Sequence, residues 1–350
     1  MLNILVTGGT GFIGSHTCLE LIQRNYKIKI IDSLANSSLI SLDRIKRICE
    51  LKKLNVENNI SFVKADLRNF EILNNLFREE KEKNQPIQGV IHFAGLKSVG
   101  ESIIKPLKYW DNNLISTINL LKAMNINDCR NIVFSSSATI YGKVNKKLIN
   151  EDDSFNPMNP YGQTKLSIER LLHDIYKSNS QEWNIANLRY FNPIGAHKSG
   201  LIGENPIGTP NNIFPIILKV ASGIIPELKI FGNDWPTNDG TGIRDYIHVM
   251  DLAEGHLSAL EFLFSQNGKI LDLNLGTSKG TSVLELVDCF QKVNNIKIPY
   301  SFVERRSGDV ARVVANNKLS KNLLNWFPKR DLYNMCEDGW NWKKLNPNGY

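Results

Sequence analysis

Cysteine is sparse in this chain, and what there is does not pair. Cys18, Cys49, Cys129, Cys289 and Cys336 are scattered and odd in number. Neither a disulfide framework nor a Cys-x-x-Cys metal or redox pair is written into their spacing, so a reducing compartment, the cytoplasm, is expected. Histidine is also scarce, with six residues. His92 and His248 have no second ligand at helical or hairpin spacing, so both read as packed structural residues and no metal is expected. Trp110, Trp340 and Trp342 read as packing residues in the same way. No apolar run approaches the roughly 18 residues of a membrane span, and no membrane partner is expected. Met1-Leu2-Asn3 leads straight into an apolar strand, which leaves no room for a signal or transit peptide. Repeats, low-complexity tracts and long linkers are missing as well. The formal charge is +7, but basic residues alternate with acidic ones, as in Arg78-Glu79-Glu80-Lys81-Glu82-Lys83. That run reads as a solvated helix end. With no basic face interleaved with aromatics, a nucleic-acid partner is not expected.

What is present is alternation. Short apolar runs at residues 2–6, 27–31, 61–64, 89–93, 131–135 and 184–190 alternate with amphipathic stretches at 12–24, 42–54, 70–80, 106–124 and 160–178. Strands and helices at this spacing predict an α/β fold, a Rossmann-type doubly wound parallel sheet whose ligands collect at the C-terminal strand ends. After Asn192 the composition turns rich in Gly, Pro and Asn, with a short helix at 214–222. A helix at 249–264 and a strand at 269–275 then rejoin the main sheet. The tail offers a helix at 283–293, a strand at 300–304 and a helix at 318–324. We therefore expect a dinucleotide-binding domain over 1–192 plus about 244–275. A smaller mixed α/β C-terminal substrate lobe is expected over 193–243 and 276–350.

Two constellations carry chemistry. Thr7-Gly8-Gly9-Thr10-Gly11-Phe12-Ile13-Gly14 joins the first strand to the first helix. Glycines at Gly8, Gly11 and Gly14 let backbone N–H groups approach phosphate oxygens, and the helix dipole favours the negative charge. Asp32 ends the second strand, 18 residues after Gly14. An acid there accepts from ribose hydroxyls and repels a 2′-phosphate, which predicts NAD as the cofactor. The second constellation is Ser137, Tyr161 and Lys165. Tyr161 and Lys165 are four apart on one helix face. Tyrosine has a pKa of about 10, and a neighbouring ammonium together with an oxidised nicotinamide is expected to favour its phenolate. Ser137, just past a strand end, can hydrogen-bond to the same reacting oxygen.

Further motifs narrow the reading. They are Phe93-Ala94-Gly95-Leu96-Lys97-Ser98-Val99-Gly100-Glu101-Ser102, Ser135-Ser136-Ser137-Ala138-Thr139-Ile140-Tyr141-Gly142 and Tyr161-Gly162-Gln163-Thr164-Lys165. To these add Arg189-Tyr190-Phe191-Asn192-Pro193-Ile194-Gly195-Ala196-His197 and Asp239-Gly240-Thr241-Gly242-Ile243-Arg244-Asp245-Tyr246-Ile247-His248-Val249. With them the chain resembles, along its whole length, the extended short-chain dehydrogenase/reductase superfamily, and within it the UDP-glucose 4-epimerase family. The resemblance implies C4 epimerisation of UDP-hexoses through a 4-keto sugar. It implies that Phe12 and Ile13 meet the pyrophosphate, that Asp32, Asn36 and Ser37 hold the adenosine ribose, and that Asp66 and Leu67 flank the adenine. Phe93, Ala94, Gly95, Lys97, Asn112 and Phe191 would line the cofactor, with Ser137, Tyr161 and Lys165 as the catalytic group. The UDP-sugar would be held by Lys97, Asn192, Asn212, Ile213, Arg244, Arg306 and Asp309, with Lys229, Ile230 and Phe231 near the uracil. Two arginines suit a diphosphate, since each can bind it bidentately. A homodimer through helices within 106–124 and 160–178 is also implied.

Val313 departs from the pattern. Counted on from Arg306-Ser307-Gly308-Asp309, it stands where several bacterial members carry tyrosine. Two readings stand side by side: valine opens the sugar pocket to an N-acetyl group, or it only packs a strand. Among rivals, a 4,6-dehydratase needs an added acid and base after the serine, where this chain has Ala138 and Thr139. A uronate epimerase should show an extra cation for the carboxylate, and none stands out. A non-catalytic NAD-binding sensor would not need Ser137, Tyr161 and Lys165 together.

Overall fold

The computed structural model describes every residue except Asn55, Glu57, Asn145, Thr209, Asn211 and Ser307. Ser307, inside the motif from Arg306 to Asp309, thus lies outside the described residues. The chain forms two compact units. The first comprises residues 1–142, 155–189 and 253–273, and the second 143–154, 190–252 and 274–350.

The first unit is built on near-continuous apolar strands. Ile4, Leu5 and Val6 are wholly buried, which suits a parallel sheet covered on both faces. Strands β1 (Asn3–Thr7), β2 (Lys27–Asp32), β3 (Ile60–Lys64), β4 (Ile87–His92), β5 (Asn131–Ser137) and β6 (Asn184–Tyr190) join the strand Lys269–Leu275 in one seven-stranded sheet. From one edge the order runs Lys269–Leu275, β6, β5, β4, β1, β2, β3. β1 pairs in parallel with β2 on one side and β4 on the other. The chain therefore winds outward from β1 to β3 and then returns to β4. That reversal makes a topological switch point at the C-terminal ends of β1 and β4. The helix Phe70–Glu82 shows how the flanking layer forms. Asn69 caps its start by accepting from Ile72 N at 3.3 Å, and Leu73, Leu76 and Phe77 fall on the buried face.

Two stretches differ from expectation. The single helix expected over 106–124 is three pieces, Pro106–Trp110, a π-helical turn Asp111–Ile115 and Ser116–Ile126. The cause is Asn113. Its side chain accepts from Leu96 N at 2.7 Å and donates to Leu96 O and to Thr164 Oγ1, both at 3.1 Å. Holding that amide inward requires the extra residue per turn that a π-bulge supplies. A short helix, Val99–Ile104, precedes them, capped by Ser98. The helix Leu332–Leu345 was also not anticipated. Its start is marked by a capping box between Asp331 and Asn334.

The second unit uses small sheets. Asn192–Ile194 pairs in parallel with Tyr246–His248, and Leu228–Phe231 with Tyr300–Val303. Ile243–Arg244 lies between Thr281–Ser282 and Arg312–Val313. Phe214, Ile217, Phe290 and Met335 pack a separate core beneath them.

Phe77, buried among Leu73, Leu76 and Leu121, tests the first core. Phe77→Ala should cost about 3–5 kcal/mol, measured as a lower urea midpoint with an unchanged slope.

Candidate active site

The glycine turn follows β1 directly. Gly8 has φ +69°, and a Cβ there would stand 2.8 Å from Ala94 N. A Cβ at Gly14 would collide with the Gly8 carbonyl. These two positions require glycine because the turn, the start of the helix Phe12–Gln23 and the loop after β4 touch backbone to backbone. Gly11 caps that helix in an extended conformation with no side-chain bond, so its first N–H groups and its positive dipole end serve an anion. Ala94 N also donates to Thr7 Oγ1 at 3.2 Å, which ties the two strand ends together. Asp32, nearly buried, accepts from Thr10 Oγ1 at 2.5 Å, Thr10 N at 3.2 Å, Leu34 N at 2.9 Å and Ser37 Oγ at 3.0 Å. Four donors converge on a carboxylate at the ribose position of a dinucleotide. A cradle that a Cβ would fill and an acid fixed beside it fit NAD.

The other expected cofactor residues lie at the same strand ends. Asn36 is exposed beside half-buried Ser37. Asp66 is chelated by Arg68, whose bond holds its carboxyl below the usual range, and Leu67 is buried. Phe93 stacks on His256 with ring centroids 4.7 Å apart, while Gly95 and Lys97 are exposed. Asn112 is half-buried next to Asn113, which the sequence reading passed over.

Ser137, Tyr161 and Lys165 come together in the first unit. Pro160 occupies the first turn of the helix Pro160–Ser178, and Asn159 caps it by accepting from Gly162 N at 2.9 Å. Tyr161 thus stands at the positive end of the helix dipole, where a phenolate is favoured. Ser137 stands near enough to Tyr161 to favour its charged form, and Ser137 Oγ accepts from Thr139 Oγ1 at 3.0 Å. Lys165 Nζ donates to Ser135 O at 2.5 Å, 4.8 Å from the Phe134 ring centroid and 5.9 Å from that of Tyr161. Burial lowers Lys165 to about 8, opposed by the charge of Glu169. Burial raises Tyr161 above its ordinary value, opposed by Ser137. The sequence expectation joins the Lys165 ammonium with the nicotinamide charge, and the protein groups by themselves leave burial dominant at Tyr161. The Lys165 ammonium donates to the Ser135 carbonyl and keeps its charge near the phenol, where it, the helix dipole and the cofactor's charge would together favour the phenolate.

His92 is structural. Thr117 Oγ1 donates to Asn113 O at 2.7 Å, so it accepts from His92 Nε2 at 2.9 Å, and Nδ1 accepts from Thr7 Oγ1 at 2.7 Å. Burial drives this imidazole down to about 3. His248 accepts from Met250 N at 3.0 Å and donates to Asp338 at 3.2 Å. Among the described residues no group of three or more His, Cys, Asp or Glu could hold a metal ion.

The second unit carries the expected substrate residues. Arg244 forms an ion pair with Asp309, and Arg244 is the register partner of Val313. Arg306 lies 3.8 Å from the centroid of Phe231, and its burial lowers its pKa. Ile230 is buried in the same strand, and Lys229 faces Glu227 and Ser301. Asn192 N donates to Asp245 O at 3.0 Å, Phe191 is buried, and Asn212 stands exposed before Ile213 at the start of the helix Ile213–Ala221. The structure thus brings Arg244, Asp309 and Val313 together, and Arg306 with Phe231. Sequence reasoning missed Glu169 and Arg189. The available signals were an arginine inside an apolar strand and a glutamate four residues after Lys165.

A family model described as GDP-mannose 4,6 dehydratase matches residues 5–339. The chain is 49% identical over 347 residues to UDP-glucose 4-epimerase of Bacillus subtilis (strain 168), covering 99% of this chain and 98% of that protein. The crystal structure of UDP-glucose 4-epimerase from Stenotrophomonas maltophilia, with bound NAD and formylated UDP-arabinopyranose, superposes with TM-score 0.93 at 45% identity. It covers 99% of both chains. The enzyme from Bifidobacterium longum, in complex with NAD+ and UDP, gives TM-score 0.92 at 41% identity over 99% of this chain and all of the other. Full-length similarity at this level, on top of a glycine turn, Asp32 and the Ser137, Tyr161 and Lys165 group, places the chain in the UDP-glucose 4-epimerase family of extended short-chain dehydrogenases/reductases.

Proposed function

We propose that this protein interconverts UDP-galactose and UDP-glucose by NAD-dependent epimerisation at C4. The observation that carries the reading is Tyr161 at a helix N-terminus, beside Ser137 and one turn from buried Lys165. NAD, held by the turn from Gly8 to Gly14 and by Asp32, supplies reversible oxidation at C4. Tyr161 Oη takes the proton of the sugar 4-hydroxyl and later returns it. Ser137 Oγ donates to the same sugar oxygen, and Lys165 keeps positive charge beneath the phenolate. Arg244 and Arg306 grip the diphosphate, Arg244 exchanging Asp309 for a phosphate oxygen, and Phe231 offers a face to the uracil. Gripping the nucleotide leaves the sugar free to present either face, so binding energy is spent remote from the reacting carbon. The dehydratase alternative lacks an acid and base, since Ala138 and Thr139 occupy the short turn after Ser137.

We further propose that Val313 leaves room for an N-acetyl group. Its place opposite Arg244, in a two-residue strand, supports this over a purely packing role. We also propose a homodimer. Ile103, Ile104 and Leu107 are 61%, 79% and 83% exposed on the short helices after β4, and a second copy would cover them. No helix among the described residues is long and apolar enough to cross a membrane. Five free cysteines fit a cytoplasmic site of action.

Three measurements test these readings. In a coupled assay of UDP-glucose formation from UDP-galactose, Tyr161→Phe should lose about 10²–10⁴-fold in turnover while still binding UDP by calorimetry. Near-normal turnover removes the assignment, and bound NAD without sugar turnover in the native protein favours a sensor. The native protein should also epimerise UDP-N-acetylglucosamine, and Val313→Tyr should abolish that activity alone. Leu107→Glu should shift the sedimentation coefficient from dimer to monomer.

A further inference from the structure

The helix Pro160–Ser178 carries a polar side chain at every fourth position, namely Tyr161, Lys165, Glu169 and His173. Residues four apart stand one above another on a helix. The chemistry proposed above uses only the first two. The third is a carboxylate with 3% of its side chain exposed. Its Oε1 accepts from Arg189 Nε at 3.0 Å and from Ser136 Oγ at 2.5 Å, and its Oε2 accepts from Arg189 Nη2 at 2.8 Å. Arg189, on β6, is fixed in turn by the Tyr141 hydroxyl at 2.9 Å, by Asp272 at 3.4 Å and by the face of Phe155 at 4.9 Å. A buried fork of this kind is a weak device for stability alone, because apolar residues of equal volume hold a core as well or better. Its placement points to another use. Ser136 lies between Ser135, whose carbonyl accepts from Lys165, and Ser137, which meets Tyr161. A carboxylate that holds the middle serine fixes both neighbours.

We propose that Glu169 is a positioning residue of the reaction. Clamped by Arg189, it anchors the strand end at 135–137 and keeps the buried Lys165 ammonium charged. This inference rests on the epimerase reading of Tyr161 and Lys165.

Several described groups face Lys165. Its own helix contributes Tyr161 and Glu169. β4 contributes His92, held neutral, and β5 contributes the Phe134 ring and the Ser135 carbonyl. Arg189 and Asp272 lie beyond Glu169. Among these groups Glu169 is the charge that opposes the effect of burial on Lys165. A cation in a dry site loses its proton at lower pH when its counter-charge is removed. The alkaline limb of turnover should therefore move toward neutrality when Glu169 is neutralised. A residue that only supported the fold would lower turnover by the same factor at every pH.

The test compares native holoenzyme with Glu169→Gln, Glu169→Asp and the double variant Glu169→Leu with Arg189→Met. In Glu169→Gln the loss of kcat should be smallest at about pH 6 and grow to roughly tenfold at about pH 8.5, with KM for the UDP-sugar unchanged. Glu169→Asp, which keeps the charge, should restore most of the native limb. The double variant removes the charge without stranding Arg189. It should melt near the native temperature and still show the displaced limb. NMR of nitrogen-labelled lysine, assigned with Lys165→Met, reads the Lys165 titration directly. It should place the midpoint about one pH unit lower in Glu169→Gln than in the native protein. An unmoved midpoint or a pH-independent loss of kcat overturns the proposal. A displaced midpoint in a protein that turns over no sugar supports the coupling while counting against the epimerase reading.

Discussion

The first unit depends on one costly choice, the burial of a lysine. Lys165 is 5% exposed, in a position where its ammonium is disfavoured by several kcal/mol unless partners replace water. Each partner is supplied by a different piece of backbone. The end of β5 gives the Ser135 carbonyl and the Phe134 face, and the next turn of the helix Pro160–Ser178 gives Glu169. Those partners converge on Lys165 from the end of β5 and from its own helix, whose start is set by Asn159 and Pro160. Tyr161 is then carried to the helix N-terminus without any freedom of its own. The lysine is held poised near neutral pH because burial and the carboxylate act in opposite directions.

The same economy governs the cofactor turn. A chain that reverses its strand order between β1 and β4 leaves two strand ends side by side. The glycines let those ends close on each other at backbone distance, with Gly8 against Ala94 and Gly14 against Gly8. Thr7 serves both, since its hydroxyl accepts from Ala94 N and donates to His92. The π-helical turn at Asp111–Ile115 belongs to this arrangement. Asn113 spends its amide on Leu96 and Thr164, so the loop that should line the cofactor is tied to the helix that bears Tyr161.

The second unit solves a different problem with exposed chemistry. Some of its charges sit in pairs that water reaches, such as Arg244 with Asp309 and Arg305 with Asp234. Such pairs hold little energy. Arg306 lies against the face of Phe231. The contrast with Glu169 and Arg189 is one of dielectric. A buried pair fixes geometry, whereas a half-exposed pair is screened by water.

Period and punctuation made much of this legible in the sequence. Apolar runs separated by amphipathic stretches point to a covered parallel sheet, and a glycine turn followed by Asp32 marks β1 and β2. Tyr161 and Lys165 share a helix face by spacing alone, because helical geometry is local. The rest was not local. No pattern announces that Asn113 will force a π turn, since the force comes from Leu96 and Thr164, 17 and 51 residues away. Nor could spacing reveal that burial would outweigh Ser137 at Tyr161. Desolvation is set by everything packed around a group, not by its neighbours in the chain. The sequence determined which side chains could do the chemistry, and the tertiary structure decided how much water each would keep, and therefore which charge it carries.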